Sequence, residues 1–293
     1  MEASLLVSAK NTLGEGPMWD EDRKSIWWAD IEGKKIFEYQ LRESILKEWQ
    51  LQKRVSFINK IEASRNLLIA LEDGIATFNV NDGSITYLQH LEKELTTNRT
   101  NDGACDCNGN IWLGTMDTNC KAGCGSLYYF DDKLQPSKKI RSTDISNGMA
   151  WSMDNKTFYH IDSTKYGVDT YLFDETKAHI EFIKSAIHIE QRMGMADGMC
   201  MDKDGMLWIA HWGGFAVYQW NPFTGKNLQK IYVPVPNVTS CCFGGDEMDI
   251  LFITTASTSL TSEEIERYPE SGSVFTARPG VQGVGKNRFR LKL

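Results

Sequence analysis

The stretch Asn110–Thr115 reads Asn-Ile-Trp-Leu-Gly-Thr, a polar turn residue followed by a short run of apolar and aromatic residues. Similar stretches recur along the chain, and their second strand residues lie roughly 45 residues apart. In chain order these counted positions are Trp27, Leu68, Trp112, Tyr159, Trp208 and Phe252. A repeat of this length is typical of the four-stranded blade of a β-propeller.

A second series of strand-like segments follows the first in the same register, from Lys35–Tyr39 to Ser273–Thr276. Only Glu175–Ile189 approaches a helical period, and its β-branched residues make it ambiguous. We therefore predict an all-β protein, a six-bladed β-propeller with four-stranded antiparallel blades around a central channel. Residues 1–293 are expected to form one domain, closed by pairing of the N-terminal strand near Leu5 with the last blade near Phe289–Leu291.

The composition excludes several classes of protein. The chain has a formal net charge of −7, a pI near 5.4 and no Lys/Arg cluster, so it is not expected to bind nucleic acid. No apolar run reaches the roughly 18 to 20 residues of a membrane span, so no membrane partner is expected. The N-terminus lacks the basic stretch of a signal peptide, which predicts a cytoplasmic protein. Either a monomer or a dimer is compatible with this sequence.

The seven cysteines are an odd number, so they cannot all pair within one chain. With no export signal, free thiols in a reducing compartment are expected. The spacing of Cys105, Cys107, Cys120 and Cys124 leaves a structural zinc site open as a minor alternative, although it is not a common zinc pattern.

The repeat also predicts a site. A polar residue stands about eleven or twelve residues before each counted position, and equivalent positions of the blades meet around the channel of a propeller. These six ring positions are Glu15, Ser56, Asn101, Asn147, Asp197 and Ser240. Asn and Asp before Gly are common in turns for backbone reasons alone, but four acids and amides in one phase of the repeat favour a functional site.

Carboxylates held together in a channel mouth repel each other unless one takes up a proton or a cation joins them. Oxygen-only ligands suit a hard divalent ion, either Ca²⁺ or Mg²⁺, with Mn²⁺ possible. Three protein ligands leave room at the ion for water and substrate. The ring therefore predicts a metal-dependent catalytic site.

At these residues the sequence resembles the family of senescence marker protein (regucalcin), gluconolactonase and luciferin-regenerating enzyme, over nearly the whole chain. The segments that carry the resemblance are Leu13–Trp19, Arg99–Gly103, Gly114–Met116, Ile145–Ser152, Ile161–Ser163, Asp197–Cys200, Leu207–Ala210 and Thr239–Gly245. The resemblance implies a six-bladed propeller with one divalent ion held by Glu15, Asn147 and Asp197. It also implies that Arg99 and Asn101 contact the substrate.

One segment departs from the family pattern. After Gly-Thr-Met, regucalcin-type members carry two acidic residues that help to bind the sugar, whereas this chain has Asp117 and then Asn119 at those positions. We keep both as candidate substrate-binding residues and expect the substrate preference to differ. His211, which follows a strand and precedes Trp212-Gly213-Gly214, is a further candidate to reach the channel mouth.

The resemblance implies hydrolysis of a sugar lactone, such as a gluconolactone-like aldonolactone, to the sugar acid. Asp197 is our choice of general base, because a carboxylate can coordinate an ion with one oxygen and accept a proton with the other. The cofactor is expected to be Ca²⁺, with Mg²⁺, Mn²⁺ or Zn²⁺ as alternatives. Two other functions stay open: a phosphotriesterase or other esterase that uses the same site, and a calcium-binding regulatory propeller without turnover.

Overall fold

The computed structural model describes residues 1–291 and consists of six sheets, each of four antiparallel strands. The innermost strands of neighbouring sheets contact one another in a closed ring around a central channel. The predicted all-β, six-bladed propeller is therefore confirmed. The predicted domain of residues 1–293 includes Lys292 and Leu293, which lie outside the described residues.

Blades 1 to 5 each consist of four consecutive strands, ordered from the channel to the outer edge. The strands of blades 1 and 2 are β2 (Gly14–Asp20), β3 (Ser25–Asp30), β4 (Lys35–Gln40), β5 (Ile45–Gln50), β6 (Val55–Lys60), β7 (Leu67–Leu71), β8 (Gly74–Phe78) and β9 (Ile85–His90). Those of blade 3 are β10 (Asn98–Cys105), β11 (Ile111–Asp117), β12 (Gly125–Phe130) and β13 (Pro136–Thr143). Those of blades 4 and 5 are β14 (Ser146–Trp151), β15 (Thr157–Asp162), β16 (Gly167–Asp174), β17 (His179–His188), β18 (Met195–Met201), β19 (Leu207–Trp212), β20 (Ala216–Asn221) and β21 (Lys226–Tyr232).

Blade 6 joins the two ends of the chain. Its strands are β22 (Val238–Gly244), β23 (Ile250–Thr255), β24 (Val274–Ala277) and, at the outer edge, β1 (Ser4–Val7). The prediction that the strand near Leu5 closes the ring in the last blade is confirmed, since Leu5 pairs with Phe275. The predicted partner segment near Phe289 was wrong, because Phe289 forms a bridge with Ile61 of blade 2 instead.

Residues 278–291, which we call the C-terminal strap, run across one end of the channel. Backbone hydrogen bonds tie the strap to blades 5 and 6 through Val284 and Gly283, which donate to the Met201 and Met248 carbonyls at 3.0 and 2.8 Å. The strap then reaches blade 2, where the Phe289 amide donates to the Lys60 carbonyl at 2.8 Å. We call the end of the channel under the strap the back and the opposite end the front.

Aspartates shape the turns between the first two strands of blades 3 and 5. The Asp106 carboxylate accepts from two backbone amides of its turn and, at 3.0 Å, from the indole nitrogen of Trp112. Asp202 repeats this pattern and accepts from the indole of Trp208 at 2.8 Å. These bonds anchor the indoles of Trp112 and Trp208, and both side chains are fully buried.

The ambiguous segment Glu175–Ile189 is mostly the long outer strand β17, since its β-branched residues fit a pleated surface better than a helix. The α-helix of the described residues is α1 (Ser262–Arg267), which begins with a capping box between Thr261 and Glu264. No helix among residues 1–291 is long and apolar enough to cross a membrane.

Candidate functional site

The front of the channel opens into a cavity of about 570 Å³. Its lining comes from two parts of the blades: residues at or just before the start of the innermost strand, and residues at or just after the end of the second strand. Antiparallel neighbours place these two parts at the same edge. The lining residues are Thr12, Leu13, Glu15, Glu32, Arg54, Arg99, Asn101, Met116, Thr118, Cys120, Ile145, Asn147, Ser163, Met195, Asp197, Trp212, Thr258 and Ser259.

A register shift occurs at the same place in all six innermost strands. In blade 4 it lies between Ser146 and Met149, and in blade 5 between Ala196 and Met199. The other four blades have the same irregularity in the corresponding pair of strands. A bulge re-aims side chains relative to the pleat, which explains how residues near the start of a strand turn into the channel.

The structure brings together five of the predicted site residues. Glu15, Asn147 and Asp197, predicted to hold the metal, line the front cavity together with Arg99 and Asn101. All five are less than a tenth exposed, although they come from four different blades.

Two carboxylates in this cavity are held in an environment that disfavours their charge. Burial, and then the negative charge of Asp197, raise the pKa of Glu15 well above its usual range. Burial, and then the charge of Asp102, raise the pKa of Asp197 in the same way. Arg99 opposes both shifts, but it is not in an ion pair with either carboxylate among the described residues. The cavity therefore has an excess of buried negative charge.

Two buried oxygen atoms of the cavity have no hydrogen-bond donor in the described part of the chain. The Asn147 side chain donates its amide to Ser163 Oγ at 3.1 Å, which leaves its Oδ1 atom unpartnered. Asp197 Oδ1 is also buried without a partner. A buried oxygen without a hydrogen-bond donor lowers the stability of the folded protein. A divalent cation would coordinate both oxygens and balance the negative charge around them. The residues present therefore fit such an ion.

Arg99 and Asn101 form a connected pair on β10. One terminal nitrogen of Arg99 donates to Asn101 Oδ1 at 2.7 Å and to the Thr100 carbonyl at 2.8 Å. Asn101 in turn donates its side-chain amide to the Ser146 carbonyl of blade 4 at 2.9 Å. Because these bonds fix one edge of the guanidinium, its remaining N–H groups are available to a ligand in the cavity.

Asp117 and Asn119 do not line the cavity. Asp117 is buried at the end of β11, where hydrogen bonds from Thr97 and the Asn119 backbone amide lower the pKa of its carboxyl. Asn119 is exposed on the loop that follows. Their neighbours Thr118 and Cys120 reach the cavity instead, so Asp117 shapes this rim loop rather than facing the ligand space.

His211 is also outside the cavity. The ring is fully buried, with Nδ1 at 2.9 Å from the Met193 carbonyl and Nε2 accepting from the Trp220 indole at 3.3 Å. Both nitrogens are therefore engaged within blade 5. The ring supports the turn that precedes Met195, a residue of the cavity wall.

The buried histidines predict a specific acid sensitivity. Burial lowers the pKa of His160 to about 3 and that of His211 to about 4, from an ordinary value of 6.5. Between about pH 6.5 and pH 4 the unfolded chain binds a proton at each of these histidines, whereas the folded chain does not. Their neutral burial therefore does not reduce the free energy of unfolding above pH 6.5, but it reduces it progressively as the pH falls toward 4. Replacing His211 with glutamine should reduce the slope of unfolding free energy by about 1.4 kcal/mol per pH unit between about pH 6 and 4. Urea unfolding across this range measures the slope, and an unchanged slope would contradict the assignment.

Sequence reasoning missed Glu32 and Arg54, which face the cavity as an ion pair of 2.9 Å between Arg54 and Glu32 Oε2. Glu32 follows the end of β3 and Arg54 precedes β6, so both lie at the front edge. A search for polar residues just outside the ends of the first two strands of each blade would have found them.

The cysteines do not form a metal site. Cys105 ends the innermost strand of blade 3 at the back, whereas Cys120 follows the second strand at the front. No cluster of metal-binding side chains of at least three His, Cys, Asp or Glu residues occurs among residues 1–291. The zinc alternative is therefore not supported, and all seven cysteines are free thiols. The Glu15, Asn147 and Asp197 set differs from such a cluster because it combines two carboxylates with one amide.

The fold and the front cavity together define the class of this protein: a six-bladed β-propeller with buried carboxylate and amide side chains at one end of its channel. The chain belongs to the SMP-30/gluconolactonase/LRE-like family, whose model matches residues 13–257. This range contains all six ring positions.

Individual relatives extend over almost the whole chain. Regucalcin of Gallus gallus is 33% identical over 283 residues, which cover 94% of each protein. A putative sugar lactone lactonase, YvrE, of Bacillus subtilis (strain 168) is 31% identical over 280 residues, or 95% of each. Among solved structures, a calcium-binding protein, regucalcin, from Agrobacterium tumefaciens str. C58 superposes with a TM-score of 0.92 at 27% identity, covering 99% of this chain and 97% of that one.

Proposed function

We propose that this protein is a metal-dependent hydrolase that opens sugar lactones to the corresponding sugar acids. The observation that carries the proposal is the pair of orphaned oxygens on Asn147 and Asp197 beside the Glu15 carboxylate, in one buried cavity. The family to which the chain belongs and the relative named as a putative sugar lactone lactonase support the reaction class.

Glu15, Asn147 and Asp197 would hold one divalent ion, for which Ca²⁺ is our first choice and Mg²⁺, Mn²⁺ or Zn²⁺ the alternatives. All the available donor atoms are oxygens, which favours a hard cation. The relative described as a calcium-binding protein supports Ca²⁺. When bound, the ion supplies Lewis acidity that polarises the lactone carbonyl.

The reaction assigns a separate task to each side chain. Asp197 takes a proton from the water whose oxygen bonds to the carbonyl carbon. The ring C–O bond of the lactone breaks, and the same proton passes to the leaving oxygen, which becomes a hydroxyl of the sugar acid. Arg99, oriented by Asn101, donates hydrogen bonds to substrate hydroxyls and to the product carboxylate. Asp117 and Asn119 shape the rim loop and thereby the substrate preference.

The partner that we propose is a free small molecule. The acidic chain lacks the basic cluster of a nucleic-acid protein, and the free thiols support the cytoplasmic location predicted from the sequence. One chain supplies all the lining residues of the front cavity, so the proposed site is compatible with either a monomer or a dimer.

One assay separates the candidate functions. The protein is stripped with a chelator, Ca²⁺, Mg²⁺, Mn²⁺ or Zn²⁺ is restored singly, and proton release from gluconolactone and from a phosphotriester is followed. We expect no turnover without metal, recovery with Ca²⁺, and a preference for the lactone. Faster cleavage of the phosphotriester would favour the esterase alternative. Metal binding without turnover of either substrate would favour the calcium-binding regulator.

A further inference from the structure

The ion pair of Glu32 and Arg54 lines the front cavity, but the mechanism proposed above does not use it. Within the part of the chain that the structure describes, Glu32 is the one carboxylate of the cavity lining that does not belong to the proposed metal ligands. Glu32 follows β3 of blade 1 and Arg54 precedes β6 of blade 2, so the pair joins two blades at the front edge.

The pair fills a sector of the cavity wall that a ring position leaves open. Ser56, the ring position of blade 2, is absent from the described lining of the front cavity, because its hydroxyl is buried 2.7 Å from Thr100 Oγ1 of blade 3. The proposed metal ligands come from blades 1, 4 and 5, whereas Arg54 and Arg99 line the wall at blades 2 and 3. A lactone whose carbonyl lies at the metal ligands would therefore direct another part of its ring toward the wall that contains the pair.

The contacts within the pair leave an acceptor and several donors unused. Arg54 Nε and Nη2 both contact Glu32 Oε2, at 3.0 and 2.9 Å, and Arg54 Nη1 makes a long contact of 3.5 Å with Glu72 Oε2. Glu32 Oε1 accepts no hydrogen bond from residues 1–291. A guanidinium carries five N–H groups, so both terminal nitrogens of Arg54 keep an N–H for a ligand. Each side chain is 31% exposed, which leaves both within reach of a molecule in the cavity.

The charges around Arg54 favour a neutral ligand. Its guanidinium faces two carboxylates, Glu32 and Glu72, which together outweigh its single positive charge. An anionic group would compete with both carboxylates for the guanidinium and would be repelled by them. A hydroxyl group can donate to the carboxylate or accept from the guanidinium without adding charge. The pair therefore fits neighbouring hydroxyl groups of an uncharged molecule.

We propose that Glu32 and Arg54 form a specificity subsite for the hydroxyl groups of a neutral sugar lactone. Glu32 Oε1 accepts a hydrogen bond from one hydroxyl, and the Arg54 terminal nitrogens donate to its neighbour. The inference rests on the proposed function, because it assumes that lactones are hydrolysed in the front cavity. The same hydroxyls are bound before and during the reaction, so the subsite acts mainly on substrate affinity and not on the reacting carbonyl.

The test compares two lactones of the same ring size, the δ-lactone of gluconic acid, which carries hydroxyls, and δ-valerolactone, which carries none. The double variant Glu32→Met/Arg54→Met removes both charges together, so neither partner is left unpaired by the other's loss. We expect kcat/KM for gluconolactone to fall about 10- to 100-fold, mainly through a higher KM, because hydrogen bonds to charged groups are lost. The value for δ-valerolactone should fall less than about threefold.

The matched control is Glu62→Met/Arg290→Met. It removes an ion pair of the same two residue types, at 2.8 Å, between the C-terminal strap and the end of blade 2 at the back of the channel. Because this pair is half-exposed and does not line the front cavity, the control should leave kcat/KM for both lactones within about twofold of wild type.

A second comparison tests the charge of the ligand. The γ-lactones of gluconic acid and glucaric acid share one ring, but the second carries a free carboxylate. Wild type should prefer the neutral γ-lactone, and Glu32→Gln should reduce that preference because it removes a repelling carboxylate. A wild-type preference for the charged γ-lactone would overturn the assignment of a neutral ligand and indicate an anion site at Arg54.

The two hypotheses fail in different ways. If the wild-type protein with restored metal hydrolyses neither gluconolactone nor δ-valerolactone, the proposed function is wrong. If wild type hydrolyses either lactone and the folded double variant loses no more activity toward gluconolactone than toward δ-valerolactone, the subsite is overturned. Circular dichroism and thermal unfolding establish that each variant is folded before the rates are measured.

Discussion

Replacing Asp197 with asparagine is expected to lower lactone turnover by about 1,000-fold or more, while the metal-free protein becomes more stable. The loss follows because an amide neither accepts the proton of the attacking water nor provides the second carboxylate for the ion. The gain follows because the wild-type carboxyl is buried with an orphaned oxygen and its pKa is raised by burial and by Asp102. Removing that charge should raise the unfolding free energy by about 1 to 2 kcal/mol without metal.

Initial rates with gluconolactone and urea unfolding in chelator measure the two effects of Asp197→Asn. Asp204→Asn is the control, because Asp204 is exposed on a turn at the back. It should change neither quantity beyond about 0.5 kcal/mol or twofold in rate. Near-wild-type turnover by folded Asp197→Asn would remove Asp197 as the general base. A less stable metal-free variant would contradict the view that the cavity is strained by unpaired charge.

Gly198→Ala is the second change with a large expected effect. A Cβ atom at this position would lie 2.6 Å from Ser240 Cβ and 2.9 Å from Ser240 Cα, and closer still to the hydroxyl. Either blade 5 or blade 6 must shift, which should cost about 1 to 3 kcal/mol of stability. Because Asp197 precedes the glycine in the bulge, its carboxylate moves too, and we expect turnover to fall about 100-fold.

The cause of the Gly198→Ala defect can be separated from a general loss of folding. Gly285→Ala is the matched control, because a Cβ atom there meets no other atom within 4 Å. Adding Ser240→Gly to Gly198→Ala removes the closest atoms and should restore part of both stability and turnover. A double variant no better than Gly198→Ala alone would show that contact with Ser240 is not the cause.

The sequence predicted those parts of the molecule whose positions are determined by the repeat. Six strand pairs in one phase defined the propeller, and the same phase placed Glu15, Asn101, Asn147 and Asp197 near one channel mouth. The physical basis is that a blade is a local unit, so a residue's position within its blade largely determines its depth in the channel. The bulges then turn these side chains inward, which the sequence did not predict.

The predictions for His211 and Phe289 differ from the structure because each residue makes contacts that the repeat does not describe. His211 lies within β19 rather than after it, and the Trp220 indole and the Met193 carbonyl hold its ring inside blade 5. Phe289 pairs with blade 2 because the strap crosses the channel first, and no periodic pattern describes a crossing. Glu32 and Arg54 lie just outside the strands, so a repeat counted on strand residues did not include them.

The pairing of β1 with β24 has a consequence for synthesis of the protein. Blade 6 takes its outer strand from the beginning of the chain and its other strands from near the end, so the ring cannot close until nearly all blades have left the ribosome. Until then β1 has no partner strand within its own chain, and its edge is open to pairing with other chains. Variants that weaken the short β1 strand should therefore lower the yield of soluble protein more than they lower the activity of the molecules that fold.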